Sequence, residues 1–211
     1  MKITKEWLEE YSACREGIEY FTVHNFAQLT IDEICDQLLS CNLFKWSNWL
    51  LSKALNIDNK RLYAIYVAEL VLPVFERKYP EDKRPRLAIE AAKKCLNEEN
   101  EENKIAARAA ADAADAAAYA ADAAADATYA DYAAAHAAHA AAHAAHAAAY
   151  AAYAAYAAYA ADAAYAADAA ADAAADAAHA ATCATYAAYA AEIKKQIIAY
   201  GLELIRKQEQ S

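Results

Sequence analysis

Apolar side chains along the first hundred residues recur at helical rather than strand spacing, and the elements can be read from their starts and stops. Thr4 is placed to cap a short helix through Trp7, Leu8 and Tyr11, and residues 13–21 add another helical turn or two, with Gly17 allowing close packing. Thr30-Ile31-Asp32-Glu33 has the form of a capping box and predicts a helix over about 31–40. Asn42 is expected to cap the next helix, whose apolar face carries Leu43, Trp46, Trp49, Leu50 and Ala54. Asp58 is expected to start a longer helix through Leu62, Ile65, Tyr66, Ala68, Leu70 and Val71 that ends or kinks near Pro73. A charged turn over 79–85 precedes a helix with Leu87, Ala88, Ile89, Ala91, Ala92, Cys95 and Leu96 on its apolar side.

The pattern then changes character. From 105 to 192 about two-thirds of the residues are alanine, and almost all the others are Asp, Tyr or His at steps of three or four. Neither glycine and none of the three prolines lies between Pro85 and Gly201, so breaks are expected only where the pattern lapses, at 128–132 and 182–185. A single helix of this length would be a rod on the order of 130 Å, so the stretch is predicted to fold back into three or four closely packed helices. From Tyr150 to Asp168 the step is always three, which winds the stripe round the helix. No segment reads as a strand. The chain closes on Ile193, Ile197, Ile198, Leu202, Leu204 and Ile205, an apolar helix predicted to dock on the amino-terminal helices. The fold class expected is all-α: an amino-terminal cluster with a bulky core (1–97), an acidic hinge (98–104), an alanine-rich bundle (105–192) and a carboxy-terminal docking helix (193–211).

Composition narrows the function. The net charge of −10 over 211 residues argues against nucleic acid or an anionic membrane surface as partner. The uncharged run 133–161 is long enough to cross a membrane, but a His or Tyr every third or fourth position makes it too polar. Five cysteines, with no CxxC pair, read as reduced and buried thiols of a cytoplasmic protein, and the first ten residues hold no hydrophobic export signal.

The segment Glu69-Leu70-Val71-Leu72-Pro73-Val74-Phe75-Glu76, the turn Tyr79-Pro80-Glu81-Asp82-Lys83-Arg84-Pro85 and the adjoining Arg86-Leu87-Ala88-Ile89-Glu90-Ala91-Ala92 come before an acidic hinge and an Ala/Tyr/Asp/His tract. Together they resemble the Imm-5-like group of immunity proteins, over roughly residues 58–207. The resemblance implies a non-enzymatic protein of bacteria or phages that neutralises a toxin or immune effector by binding. Sequestration of a nucleotide-type immune signal is an alternative, and a structural or ice-binding role, suggested by alanine alone, is a third. Self-association stays open.

Candidate chemistry falls in two places. His136, His139, His143 and His146 lie along one helical face, and a pair one turn apart would chelate zinc, copper or nickel if a neighbouring helix completed the site. A solvated polar stripe is the preferred reading, so no metal and no cofactor is expected. Tyr150, Tyr153, Tyr156 and Tyr159 continue the stripe as a surface for stacking or, more plainly, as filler between helices. Asp112, Asp115, Asp122, Asp126, Asp162, Asp168, Asp172 and Asp176 face Arg108 alone and either keep the rod soluble or imitate phosphates. A phosphate-bearing ligand needs cations, which cluster earlier. Arg61, Arg84 and Arg86, with Trp46, Trp49 and His24, are the residues expected to bind it. No Gly-rich phosphate loop, nucleophile elbow or paired acid and base supports catalysis.

Overall fold

The computed structural model describes residues 1–127 and 184–210. Among them every regular element is a helix. These are α1 (Lys5–Glu10), α2 (Arg15–Val23), a 3-10 turn (Phe26–Gln28), α3 (Ile31–Ser40), α4 (Phe44–Ala54), α5 (Ile57–Lys78), α6 (Arg84–Asn97), α7 (Glu101–Ala127) and α8 (Ala184–Gln210). The fold is all-α, as the spacing predicts. The expected break at 128–132 lies outside the described residues, and so does the packing of the alanine stretch beyond α7.

Local side-chain chemistry sets most helix starts. Thr4 accepts from the Trp7 amide at 3.2 Å. At α3 the capping box is complete: the Glu33 amide donates to Thr30 Oγ1 at 3.3 Å, and the Thr30 amide donates back to Glu33 Oε2 at 2.7 Å. The Thr30 amide and the Thr30 hydroxyl, which donates to Glu33 Oε2 at 2.9 Å, together hold the Glu33 carboxyl below the usual carboxylate range. Asn56, not Asp58, caps α5, accepting from the Asn59 amide at 2.9 Å.

Helix ends are less conventional. Ser12, Asn25 and Asn42 sit at φ of 58°, 54° and 58°, the left-handed region where glycine is usual. Asn42 therefore terminates α3 instead of starting α4: its amide donates to Leu39 O and the Leu43 amide to Leu38 O, a Schellman closure. Ser12 closes α1 the same way, with the Ala13 amide on Leu8 O at 2.8 Å.

Pro73 neither ends nor interrupts α5, which continues to Lys78. Val71, Leu72 and Phe75 on both sides of it are buried, so core packing outweighs the missing backbone bond. Leu87 is 54% exposed and does not belong to the buried face of α6, which is built from Pro85, Ala88, Ile89, Ala92 and Cys95. Among the described cysteines, Cys35 and Cys95 are buried as expected, whereas Cys14 and Cys41 are exposed, and all four are free thiols; Cys183 lies outside the described residues. Burial pushes the Cys35 thiol well above its ordinary value.

The core has two textures. Around α3, α4, α5 and α8 it is bulky, with Leu51, Leu55, Tyr63, Val67, Phe75, Ile197, Ile198 and Ile205 almost wholly buried. The Tyr63 hydroxyl donates to Asn48 Oδ1 at 3.0 Å, which satisfies both buried polar groups. Gly201 lets α8 approach: a Cβ there would lie 2.7 Å from Leu51 Cδ1 and 3.0 Å from Tyr63 Cε2. Tyr66 and Tyr200 stack at 4.0 Å beside it. Gln208 fastens the end of α8 to the α4–α5 corner, donating to Ala54 O at 3.2 Å and accepting from the Asn56 amide at 2.7 Å.

α6 and α7 pack closely along their length, and their buried side chains are mostly small: Ala88, Ala92 and Cys95, with Pro85 and Ile89, on α6, and Ala107, Ala111, Ala114 and Ala117 on α7. Side chains this small let the axes close toward the short end of the usual 8–10 Å range. The polar run expected as a hinge is mostly helix already. Asn100 Oδ1 accepts from the Asn103 amide at 2.8 Å, and α7 starts at Glu101.

Candidate functional site: an amino-terminal hollow and the ion pairs of α5 to α7

Two features of the described residues carry chemistry of the expected kind. The first is a hollow of about 360 Å³ among α1, α2, α3 and α4. Leu8, Ile34, Leu38 and Leu50 form part of its lining, and Tyr20, Phe21, Phe26, Trp46 and Trp49 supply aromatic walls. Tyr20 is the hub. Its ring meets Trp46 edge-on at 5.3 Å and Phe26 at 5.8 Å, and it carries the His24 ring stacked at 3.9 Å. Its hydroxyl donates to Cys41 Sγ at 3.4 Å, and that bond, with partial desolvation, raises the phenol above its ordinary pKa. Ser12, Ala13, Cys14, Gly17 and Lys45 complete the lining.

Trp46 and Trp49 thus come together as the sequence suggests, one helical turn apart on α4. His24 does not line the hollow; it is held outside by its stack on Tyr20 and by a 2.9 Å bond from Nδ1 to Tyr20 O. Tyr20, Phe26 and Cys14 gave no functional signal in the sequence, because their role depends on how α2 and the 3-10 turn pack on α4. A second groove, between α3 and α8, is lined among others by Asp32, Asp36, Lys195 and Arg206. Arg206 is already paired with Asp32.

The second feature is the set of cations expected to hold phosphate, which the structure places away from the hollow. The Arg84 guanidinium grips Asp82, with Nη2 to Oδ2 at 2.6 Å, and holds that carboxyl below its ordinary pKa. Arg86 makes a two-pronged pair with Glu76 at 2.6 and 2.5 Å, with the same effect on Glu76. Arg61 is 7% exposed and reaches Glu99 with both terminal nitrogens at 3.1 and 3.4 Å. Lys104 meets the same Glu99 at 3.2 Å. Each arginine is matched to a carboxylate whose pairing belongs to the fold. Glu69–Lys93 and Glu76–Arg86 show this directly, since each step of seven up α5 is met by a step of seven down α6, fixing the antiparallel register of that helix pair.

The segment these pairs lock together, with the tract behind it, matches a family described as Imm-5 like putative immunity protein over residues 58–168. The chain belongs to this family. No curated protein and no solved structure matches it. The Imm-5-like match takes in α5, α6, α7 and the alanine tract as far as 168, so Arg61, Arg84 and Arg86 lie inside it, while the hollow, built from residues 8–50, lies before it. His136, His139, His143, His146, Tyr150, Tyr153, Tyr156 and Tyr159 fall within the matched range but outside the described residues. Among the described residues no group of three or more His, Cys, Asp or Glu is arranged to hold a metal ion, and no helix is long and apolar enough to cross a membrane.

Proposed function

We propose that this immunity protein acts in the cytoplasm, without catalysis, by binding a toxin or immune effector one-to-one, and that the effector surface it meets is basic. Membership of the Imm-5-like family supports an immunity role exerted on a partner such as a toxin. Charge supports a basic effector surface. Between 105 and 192 nine aspartates and Glu192 stand against Arg108, a net −9 out of the −10 of the whole chain. The remaining residues are nearly neutral, so long-range attraction acts on the alanine tract, speeding encounter with a cationic partner and weakening as salt rises.

The test is a titration of the purified protein against the effector encoded beside its gene. Effector activity is expected to vanish at a one-to-one ratio, with association slowing steeply between low and physiological salt. Inactivation by a small fraction of an equivalent would mean turnover and overturn the reading.

Sequestration of a nucleotide-type signal is the second reading, favoured by the stacking rings of the hollow and by Lys45 in its lining. Incubation with cyclic nucleotides and then heat release separates the two. Depletion and intact recovery of one nucleotide would favour sequestration; no depletion leaves the protein partner.

A further inference from the structure

We propose that Lys53 and Lys60, at the corner where α4 passes into α5, form a binding site for a doubly charged phosphate group. This goes beyond the effector reading and does not rest on it, because both lysines precede the alanine tract whose charge supports that reading.

The chain has acid to spare. It carries 30 Asp and Glu against 20 Lys and Arg, and cations along α5 and α6 draw on that excess: Arg61 meets Glu99, Arg84 meets Asp82, Arg86 meets Glu76 and Lys93 meets Glu69. Lys53 and Lys60 do not. Both are half-buried, yet among the described residues neither forms an ion pair. Asp58, the acid nearest to Lys60 in sequence, is turned to Arg61 at 3.8 Å. Lys53 lies over the Trp49 ring, its Nζ 6.0 Å from the centroid, a contact that favours a cation and leaves its charge in place.

The two ammoniums work against each other and against the helix. Lys60 closes the first turn of α5, with its amide on Asn56 O at 2.9 Å, where a cation opposes the helix dipole. Partial burial and the nearby Lys53 ammonium lower its pKa, the mark of like charges brought together away from water. A dianion offsets both charges at once, and a monoanion only one of them. Both ammoniums sit on flexible stems and can turn their N–H groups onto the oxygens of one tetrahedral phosphate. A lysine binds phosphate as a point charge, without the two-pronged fit of an arginine.

The experiment follows backbone amide shifts of the full chain as inorganic phosphate, phenyl phosphate or benzoate is added to phosphate-free buffer. Amides of the α4–α5 corner are expected to shift saturably with both phosphates, at a Kd on the order of 1 mM. Benzoate, with one charge, should bind at least about threefold more weakly. Phenyl phosphate binding tighter than inorganic phosphate would mark an ester as the natural guest, and equal binding the free ion. Lys53→Gln and Lys60→Gln should each weaken phosphate about two- to fivefold, while Lys60→Arg keeps it. Without phosphate, Lys60→Gln should melt no lower than the parent, because a repulsion is removed; with phosphate its thermal midpoint should rise less than the parent's. No saturable shift at the corner, benzoate bound as tightly as phosphate, unchanged affinity in Lys60→Gln, or a Lys60→Gln protein less stable than the parent without phosphate would each overturn the proposal. Effector neutralisation that survives in the double variant Lys53→Gln, Lys60→Gln separates this site from the proposed function.

Discussion

The α4–α5–α8 core and the α6–α7 pair solve the same packing problem in opposite ways. In the first, Leu51, Tyr63, Ile197 and Ile198 fill the space between helices, and one glycine, Gly201, lets a helix approach where they crowd. In the second there is little side chain to bury, the buried positions being largely alanine, Ala88 and Ala92 on α6 and Ala107, Ala111, Ala114 and Ala117 on α7. The bulky core gains from apolar area removed from water; the alanine pair gains from close backbone approach and from alanine's helix propensity. The bulky core should therefore fail when side chains shrink, and the alanine pair when they grow.

The largest effect is expected from Leu51→Ala, at about 2–5 kcal/mol, read as a fall in the urea midpoint. Gly201→Ala attacks the same spot from the other side and should cost about 1–3 kcal/mol, since Leu51 and Tyr63 are both wholly buried and have little room to yield. The double variant should lose less than the sum, because the new methyl enters the space that Leu51 vacates. In the alanine pair, Ala111→Leu should cost about 1–3 kcal/mol by prising α7 from α6. An Ala111→Leu protein as stable as the parent would show that the helices are not in close contact there.

The two regions are joined through Arg61, on α5, and Glu99, in the turn between α6 and α7. Glu99→Ala strands a buried guanidinium whose other carboxylate, Asp58, is 3.8 Å away. It should lower the thermal midpoint more than Arg61→Met, which removes the charge and keeps the bulk. The reverse order would mean that the pair does not hold the two regions together.

Acid should loosen the α5–α6 register before it reaches the bulky core. Glu76 and Asp82 are held below their ordinary pKa by Arg86 and Arg84, so the stability they contribute is present above about pH 4 and is lost as pH falls through the folded values. Arg86→Gln should therefore differ from the parent at pH 7 and converge with it as acid protonates Glu76, in paired urea titrations. The smallest effect expected is a gain: Asn42→Gly relieves a left-handed residue and should add about 0.5 kcal/mol. A loss would mean that the Asn42 side chain holds a contact worth more than the strain.

Much of this was legible in the chain itself. Helical spacing gave the all-α class, Thr4 and Thr30 gave their caps, the segment around 69–92 gave the family, and Trp46 and Trp49 pointed to the aromatic hollow. Sequence reasoning went astray where bonding or packing in the folded chain overrode the simplest reading of a residue. Asn42 looks like a cap for α4, but the Schellman bonds to Leu38 and Leu39 make it the end of α3. Pro73 reads as a break and is overruled by a buried segment on either side. Arg61, Arg84 and Arg86, expected to meet phosphate, are paired in the structure with Glu99, Asp82 and Glu76.

What the sequence determined by itself is what bonds spanning three or four residues and a helical period can encode: where helices start, which faces are apolar, and where negative charge accumulates. Only the tertiary structure decided which cations are spent on ion pairs, that Gly201 is the point of closest approach, and that Tyr20 meets Trp46 across a hollow. Apart from the Asp82–Arg84 pair, those outcomes depend on contacts between residues ten or more positions apart, whose distances no local pattern records.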